Sequence, residues 1–416
     1  MTAMVWALSS LVLFATLGLL AWRLDEVRSM DIAGRVSVAL AVGLVVVALV
    51  MYVESALGIG WSFATLGVPL VALAAASLSA VRAAVDPPRW PRGAAVAFGA
   101  VTAILLYGAG TARMTIGDLL FFWGPKSVHF FHARAIDVEF LRWPHHYLMH
   151  PDYPPLVPLV WAASAMLHGG FSYWGAVCSA PLLLAAAALA FRGFAAPVIG
   201  ARKSALFATL LLAVTGFAAV AGSAAGGAEP FLLLFEIVAL SALTFGRGRG
   251  AVTIASIALA GAIFTKVEGT AFVISVVLSL LLVKRFRTAL VVAVPAAALL
   301  GSWIVFAEHH ALLDGYTRAR RSFHPQRIGY VLYMTAWQVS YRIWYLPWIA
   351  ALAPLAAGKN FRRAALPFLC GLASIGYSIV FYLTEAEPLW WIQTSAERVM
   401  ATTLMCLVVA SAAASE

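Results

Sequence analysis

The chain has 416 residues, 63% hydrophobic and 11% charged, with a mean hydropathy of +0.92, a formal net charge of +10 and three cysteines. A soluble domain of that length could not hide so much apolar surface. Cys178, Cys370 and Cys406 lie inside apolar runs with neither disulfide nor zinc spacing, and membrane topology rather than nucleic acid accounts for the positive charge.

Apolar runs near 20 residues recur along the chain. They are continuous rather than alternating, so they read as membrane-crossing helices and not barrel strands. In chain order the expected spans are about 4–22, 34–53, 60–81, 94–110, 172–191, 204–222, 230–246, 251–265, 270–283, 288–307, 341–357, 364–382 and 398–414. The first is too long, and its flanks too weakly cleavable, for a removed signal peptide. Residues 1–93 form a three-span extension. A transmembrane core over 94–416 follows, with a long first extracytoplasmic loop, 111–171, that carries interfacial helices. The expected fold class is an all-α polytopic membrane protein of about 13 transmembrane helices.

The loops sort by charge. One set of short loops holds 17 of the 28 basic residues, including Arg23, Arg82, Arg192, Arg247, Lys284, Arg285, Arg362 and Arg363. The positive-inside rule makes that side cytoplasmic. The other side holds 12 of the 18 acids. Alternation works only if 153–168 does not cross, so this stretch is expected as a half-helix or interfacial helix. Asp118, Asp152, Glu229, Lys266, Glu268, Arg320, Arg321, Glu397 and Arg398 then share the non-cytoplasmic face.

The longest polar interruption is 117–155, GDLLFFWGPKSVHFFHARAIDVEFLRWPHHYLMHPDYPP. Asp118 precedes Phe121-Phe122-Trp123. A carboxylate walled by aromatics at a membrane boundary can accept a proton; a solvated loop acid beside an aromatic belt has the same pattern. Asp152 stands before Pro154-Pro155, which fix an extended corner and then start a helix. It is either a rigidly held functional acid or a cap for that helix. His145, His146 and His150 could join Asp152 around a divalent cation, the one cofactor this stretch allows, although the spacing matches no fixed metal motif.

Further along, Glu229-Pro230 opens a span, and Glu236 lies seven residues later within the hydrocarbon. Such an acid is a functional residue or the buried partner of an Arg or Lys. In Phe264-Thr265-Lys266-Val267-Glu268-Gly269 a lysine is pinned between two helix ends, where it suits a phosphate oxygen or pairs with Glu268 at the surface. Arg318, Arg320, Arg321, His324 and Arg327 make a basic external cluster that opposes the positive-inside bias. Arg398 heads the last span, placed to grip a phosphate or to pair with Glu397.

Taken in order, GDLLFFWGPK, HPDYPPL, AEPFLLLF, TKVEG and TSAERV resemble the C-type (GT-C) integral-membrane glycosyltransferases. These include protein O-mannosyltransferases, aminoarabinose transferases and bacterial sugar transferases acting on lipopolysaccharide or exported glycans. The resemblance covers about residues 94–414 and rests on the order of the strings and their shared face. It implies a GT-C-like core in a bacterial-type inner or plasma membrane, with the active site facing the periplasm or exterior. It also implies a polyprenyl-phosphate sugar donor and a glycan, glycolipid or protein acceptor. By position, Asp118 matches the first-loop acid that deprotonates the acceptor, and Asp152 the acidic corner that helps place acceptor or metal. Lys266 and Arg398 look like donor-phosphate contacts, helped by Arg320 or Arg321, and Glu229 matches an acid at a span start. Glu268, Lys126, His150 and Tyr153 complete the expected substrate contacts. Three departures stand out: Leu119 follows Asp118 where many members carry Asp-Glu, the first three spans have no counterpart, and a large carboxyl-terminal soluble domain is not expected here.

The function expected from this resemblance is sugar transfer by single displacement, with inversion. Three other readings stay open: a transporter or flippase for a lipid-linked or anionic solute, a non-catalytic membrane scaffold, and a glycan ligase using a diphosphate-linked oligosaccharide.

Overall fold

The computed structural model describes residues 2–78, 90–111, 117–143, 149–220, 225–313, 322–343, 345–356, 358–385 and 387–416. Every regular element among them is helical. The chain begins with α1 (Ala3–Leu17), α2 (Asp25–Arg28), α3 (Ile32–Ala56), α4 (Val68–Leu78) and α5 (Arg92–Thr111). Next come α6 (Gly124–Ala133), α7 (Val138–Arg142), α8 (Leu156–His168), α9 (Tyr173–Ile199), α10 (Ala201–Val220) and α11 (Glu229–Phe245). The remainder is α12 (Gly248–Thr265), α13 (Val267–Leu282), α14 (Phe286–His309), α15 (Ile328–Ile343), α16 (Tyr345–Ala356), α17 (Phe361–Thr384) and α18 (Pro388–Ala414).

Six of the described helices, α3, α5, α9, α12, α14 and α17, are long and apolar enough to cross a bilayer. A seventh appears if the two limbs of α18, which meet at a bend of 52° between Ala396 and Arg398, count as one span. Most expected spans overlap a helix over their described residues, but 4–22 is broken at Gly18, 60–81 opens on non-helical residues before Phe63, and 341–357 begins in α15 and continues in α16. Several are short: α1 has 15 residues, α13 has 16 and α11 has 17, or about 22–26 Å of helix.

Small residues set the closest helix contacts, as they do where no hydrophobic drive separates helix from lipid. A Cβ on Gly18 or Gly43 would clash with a carbonyl of the facing helix, so α1 and α3 touch backbone to backbone. Helix α3 is buried along most of its length and packs on α1, α8, α9 and α12. Among the described residues one apolar cluster includes side chains from Trp6 to Ala414.

The stretch 153–168 does form a half-helix, α8, which starts at Leu156 directly after the two prolines. It packs inside the protein: Leu156 to Ala165 are all buried, and the Trp161 indole donates to the Gly226 carbonyl at 3.3 Å. At 13 residues, or about 20 Å, it is too short to cross. Helix α15 was not expected at all, because IGYVLYMTAWQVSYRI mixes polar side chains into an apolar run.

Candidate functional site

A single non-helical residue separates α12 from α13. Lys266 is fully extended (φ −164°, ψ 163°), so the two helices meet at a sharp corner. Gly269 makes the corner possible, since a Cβ there would run into the Ala262 carbonyl. The corner aims the Lys266 amine inward, where Nζ lies 3.0 Å from Oε1 of Glu229 and 2.9 Å from Oε1 of Glu268. Glu229 is the first residue of α11, with Pro230 behind it.

Arg398 sits where α18 bends. Its Nη1 donates to Glu229 Oε1 at 3.1 Å and to Asp118 Oδ2. Asp118 in turn precedes a π-helical turn, Leu119–Trp123, a local widening often found at functional sites. Four separate segments thus bring three carboxylates and two cations into one cluster. Their side chains are only 6–25% exposed. Lys266 does pair with Glu268, but below the surface and shared with Glu229. Arg398 is held by Asp118 and Glu229; the Glu397 side chain lies outside the described residues.

A second group lies alongside. The Lys126 amine donates to the His150 carbonyl at 2.7 Å and sits 5.4 Å over the Trp123 ring. His150 has a positive φ of 49°, and its ring stacks on Tyr153 with centroids 4.5 Å apart. Asp152 is buried, and its carbonyl accepts from the Trp303 indole at 2.8 Å. The helix-capping role considered for Asp152 is not observed: Pro155 is the N-cap of α8 and no side chain caps it.

Burial sets the titration of these loop groups. It pushes the Lys126 amine down to about 7, against the nearby Asp152 charge. It also pushes the His150 imidazole down to about 3, with Lys126 and Lys266 adding to the effect. Burial raises the Asp118 carboxyl above its ordinary range although Arg398 pulls the other way. At neutral pH His150 is neutral, and Lys126 is poised between its two forms.

Asp118, Lys266, Glu268 and Arg398 form the charged wall of a cavity of about 320 Å³. Phe122, Trp123, Tyr153, Tyr377, Phe381, Trp390 and Trp391 supply aromatic faces, and His150 lies on the same lining. Below the ionic cluster a chamber of about 30 Å³, room for one water, reaches Glu236 and Thr402. The Thr402 hydroxyl donates to Glu236 Oε2 at 2.8 Å, so the expected Arg or Lys partner of this acid is replaced by a threonine.

Asp118, Glu229, Lys266, Glu268 and Arg398 therefore come together, and His150 and Tyr153 line the cavity with all of them but Glu229. Asp152 and Lys126 are not on that lining, and the Asp152 charge lies close enough to act on the Lys126 amine. Arg320, Arg321, His145 and His146 lie outside the described residues. Among the described residues no three His, Cys, Asp or Glu side chains converge on a metal position, His150 and Asp152 included. Sequence reasoning missed Tyr377, Phe381 and Thr402. Their signal was present as an aromatic pair four residues apart in α17 and a hydroxyl one turn beyond Arg398.

The chain matches no family model, no characterised protein and no solved structure.

Proposed function

We propose that this chain is a membrane glycosyltransferase that moves a sugar from a polyprenyl-phosphate donor to an acceptor on the non-cytoplasmic face. The observation that carries the reading is the meeting of Asp118, Lys266 and Arg398, from three distant segments, on one aromatic-walled cavity. Its volume falls in the range of small-molecule sites, about 300–1,000 Å³. Aromatic faces suit the apolar side of a sugar ring. Lys266 and Arg398 hold the donor phosphate and offset the charge that develops on the leaving group.

The pairing of Asp118 with Arg398 adds a step to this chemistry. An arriving phosphate competes for the guanidinium and releases the carboxylate. Burial already makes Asp118 more basic than usual, and losing its cationic partner makes it more so. Asp118 then takes the acceptor hydroxyl's proton, the oxygen attacks the anomeric carbon, and the bond to phosphate breaks. Polyprenyl phosphate leaves against Lys266 and Arg398, and the anomeric carbon is inverted.

The proposed topology has thirteen spans with the basic loops in the cytoplasm. Its support is that α13 and α17 carry Lys284 and Arg362 at the ends remote from this cavity. The donor's chain enters sideways between spans from the outer leaflet.

The test uses purified protein in nanodiscs with a panel of polyprenyl-phosphate hexoses and pentoses. Release of polyprenyl phosphate and glycosylation of acceptor are both measured. Asp118→Asn lowers transfer by about 10²–10⁴ while melting stays near wild type. Equal turnover by this variant refutes the assignment.

One observation favours a transporter instead. Glu236 lies within α11, and among the described residues its Oε1 has no hydrogen-bond partner, the kind of intramembrane acid that marks ion pathways. Solute counterflow in proteoliposomes without sugar transfer would select that reading.

A further inference from the structure

At the ends of α11, α13 and α17 remote from the carboxylate cluster lies an open groove of about 620 Å³. The turn between α13 and α14 supplies Lys284 and Arg285 to it, and the start of α17 supplies Arg362 and Arg363. Helices α13 and α17 thus give one end to the cavity described above and the other to this groove, while α11 gives Glu229 to the ionic cluster and Leu243 and Thr244 to this groove.

The four cations are not equivalent. Arg285 Nη1 donates to the Leu243 carbonyl at 2.8 Å and closes the end of α11. Arg363 pairs with the Glu416 carboxylate, which Asn360 also reaches at 2.8 Å. These two are committed to structure. Lys284 and Arg362 are exposed, and among the described residues no hydrogen bond or ion pair engages either side-chain head. Lys284 is held in a left-handed conformation, φ 61°, in the turn that presents it.

Leu282 lines the groove and is 69% exposed; Phe286 and Phe361, next in sequence to its lining residues Arg285 and Arg362, are 61% and 58% exposed. A free anion has no use for such a rim. A ligand with a charged head and hydrocarbon chains has both ends matched: the head against the free cations, the chains along the apolar rim.

We propose that this groove binds the phosphodiester headgroup of an anionic glycerophospholipid, with Lys284 and Arg362 as its contacts. The site is independent of the glycosyltransferase reading and stands or falls without it.

Native mass spectrometry of the purified protein titrated with phosphatidylglycerol or phosphatidylcholine tests it. Wild type retains phosphatidylglycerol in preference, and the preference weakens as salt rises. The double variant K284Q/R362Q lowers affinity for phosphatidylglycerol by about 30-fold and leaves phosphatidylcholine unchanged. The charge-preserving pair K284R/R362K keeps the preference, which separates a headgroup contact from a folding defect. Inorganic phosphate at matched concentration does not displace the lipid. The proposal is overturned if wild type fails to discriminate the two lipids, if K284Q/R362Q discriminates as well as wild type, or if inorganic phosphate competes on equal terms.

Discussion

Lys266 and Arg398 donate to the same atom, Oε1 of Glu229, at 3.0 and 3.1 Å. Two cations this close repel unless an anion lies between them, and the Glu229 side chain is only 6% exposed. Removing one partner of a buried ionic group leaves charge uncompensated at a cost of about 3–5 kcal/mol. Glu229→Ala should therefore lower the melting temperature in detergent sharply, and Glu229→Gln, which keeps a hydrogen bond, should lower it less. A melting curve for Glu229→Ala that overlays wild type would show that the cluster is not held through this oxygen.

Stability should rise with pH above neutrality, and Lys126 is the reason. Burial brings its amine from an ordinary 10.5 to about 7 in the folded protein. Between those values the unfolded chain binds the proton and the folded one does not. The folded state is thus favoured as pH climbs through the window, with a slope of up to about 1.4 kcal/mol per pH unit from this one group. Lys126→Met removes that slope and raises stability near pH 7, since no buried amine then has to be accommodated. Chemical denaturation at several pH values from 7 to 10 measures it, and an unchanged slope in the variant would contradict the burial argument.

How much of this was legible follows from the physics of each residue. Lys266 was readable because a lysine pinned between two apolar runs has few places to go, and its corner could be inferred from the absence of a loop. Asp118, Glu229 and Arg398 were readable as span-end ionic residues sharing one face. Their direct pairing was not, because a hydropathy pattern orders residues along the membrane normal but says nothing about which helices are neighbours. Tyr377 and Phe381 were hidden for the same reason: in a membrane span an aromatic side chain scores as lipid-facing whether it meets lipid or a cavity. For Asp152 the local string showed the proline corner but not its surroundings: its backbone carbonyl accepts from the Trp303 indole of α14, a contact that local sequence cannot show.

Gly269→Ala should do more harm than a one-carbon change suggests. The new Cβ would meet the Ala262 carbonyl across the α12–α13 corner, and backbone on both sides leaves no flexible side chain to yield. Overpacking of this kind costs about 1–3 kcal/mol. If the corner opens, the Lys266 amine moves away from Glu229 and Glu268. The expected result is a lowered melting temperature together with a weaker donor interaction, seen as a raised KM, whereas Gly301→Ala, where a Cβ meets nothing within 4 Å, should behave as wild type. Equal behaviour of the two variants would remove the corner from the argument.

The last prediction concerns the pH profile of transfer and bears directly on Asp118. In wild type its carboxyl is raised by burial and restrained by the Arg398 guanidinium. A base works only when deprotonated, so activity is lost as pH falls through the Asp118 pKa. Replacing Arg398 by Gln removes the restraining charge, and the carboxyl should then titrate at higher pH. The acidic limb of the kcat/KM profile, which reports the free enzyme, should shift upward in Arg398→Gln, and the height of that profile for the donor should fall by about 10–1,000-fold as the phosphate loses its bidentate partner. Arg398→Lys keeps a positive charge and should restore most of the pH profile while recovering little of the donor affinity. A profile for Arg398→Gln whose acidic limb stays in place, measured on protein that still melts cooperatively, would mean that Asp118 is not the group whose deprotonation limits the reaction.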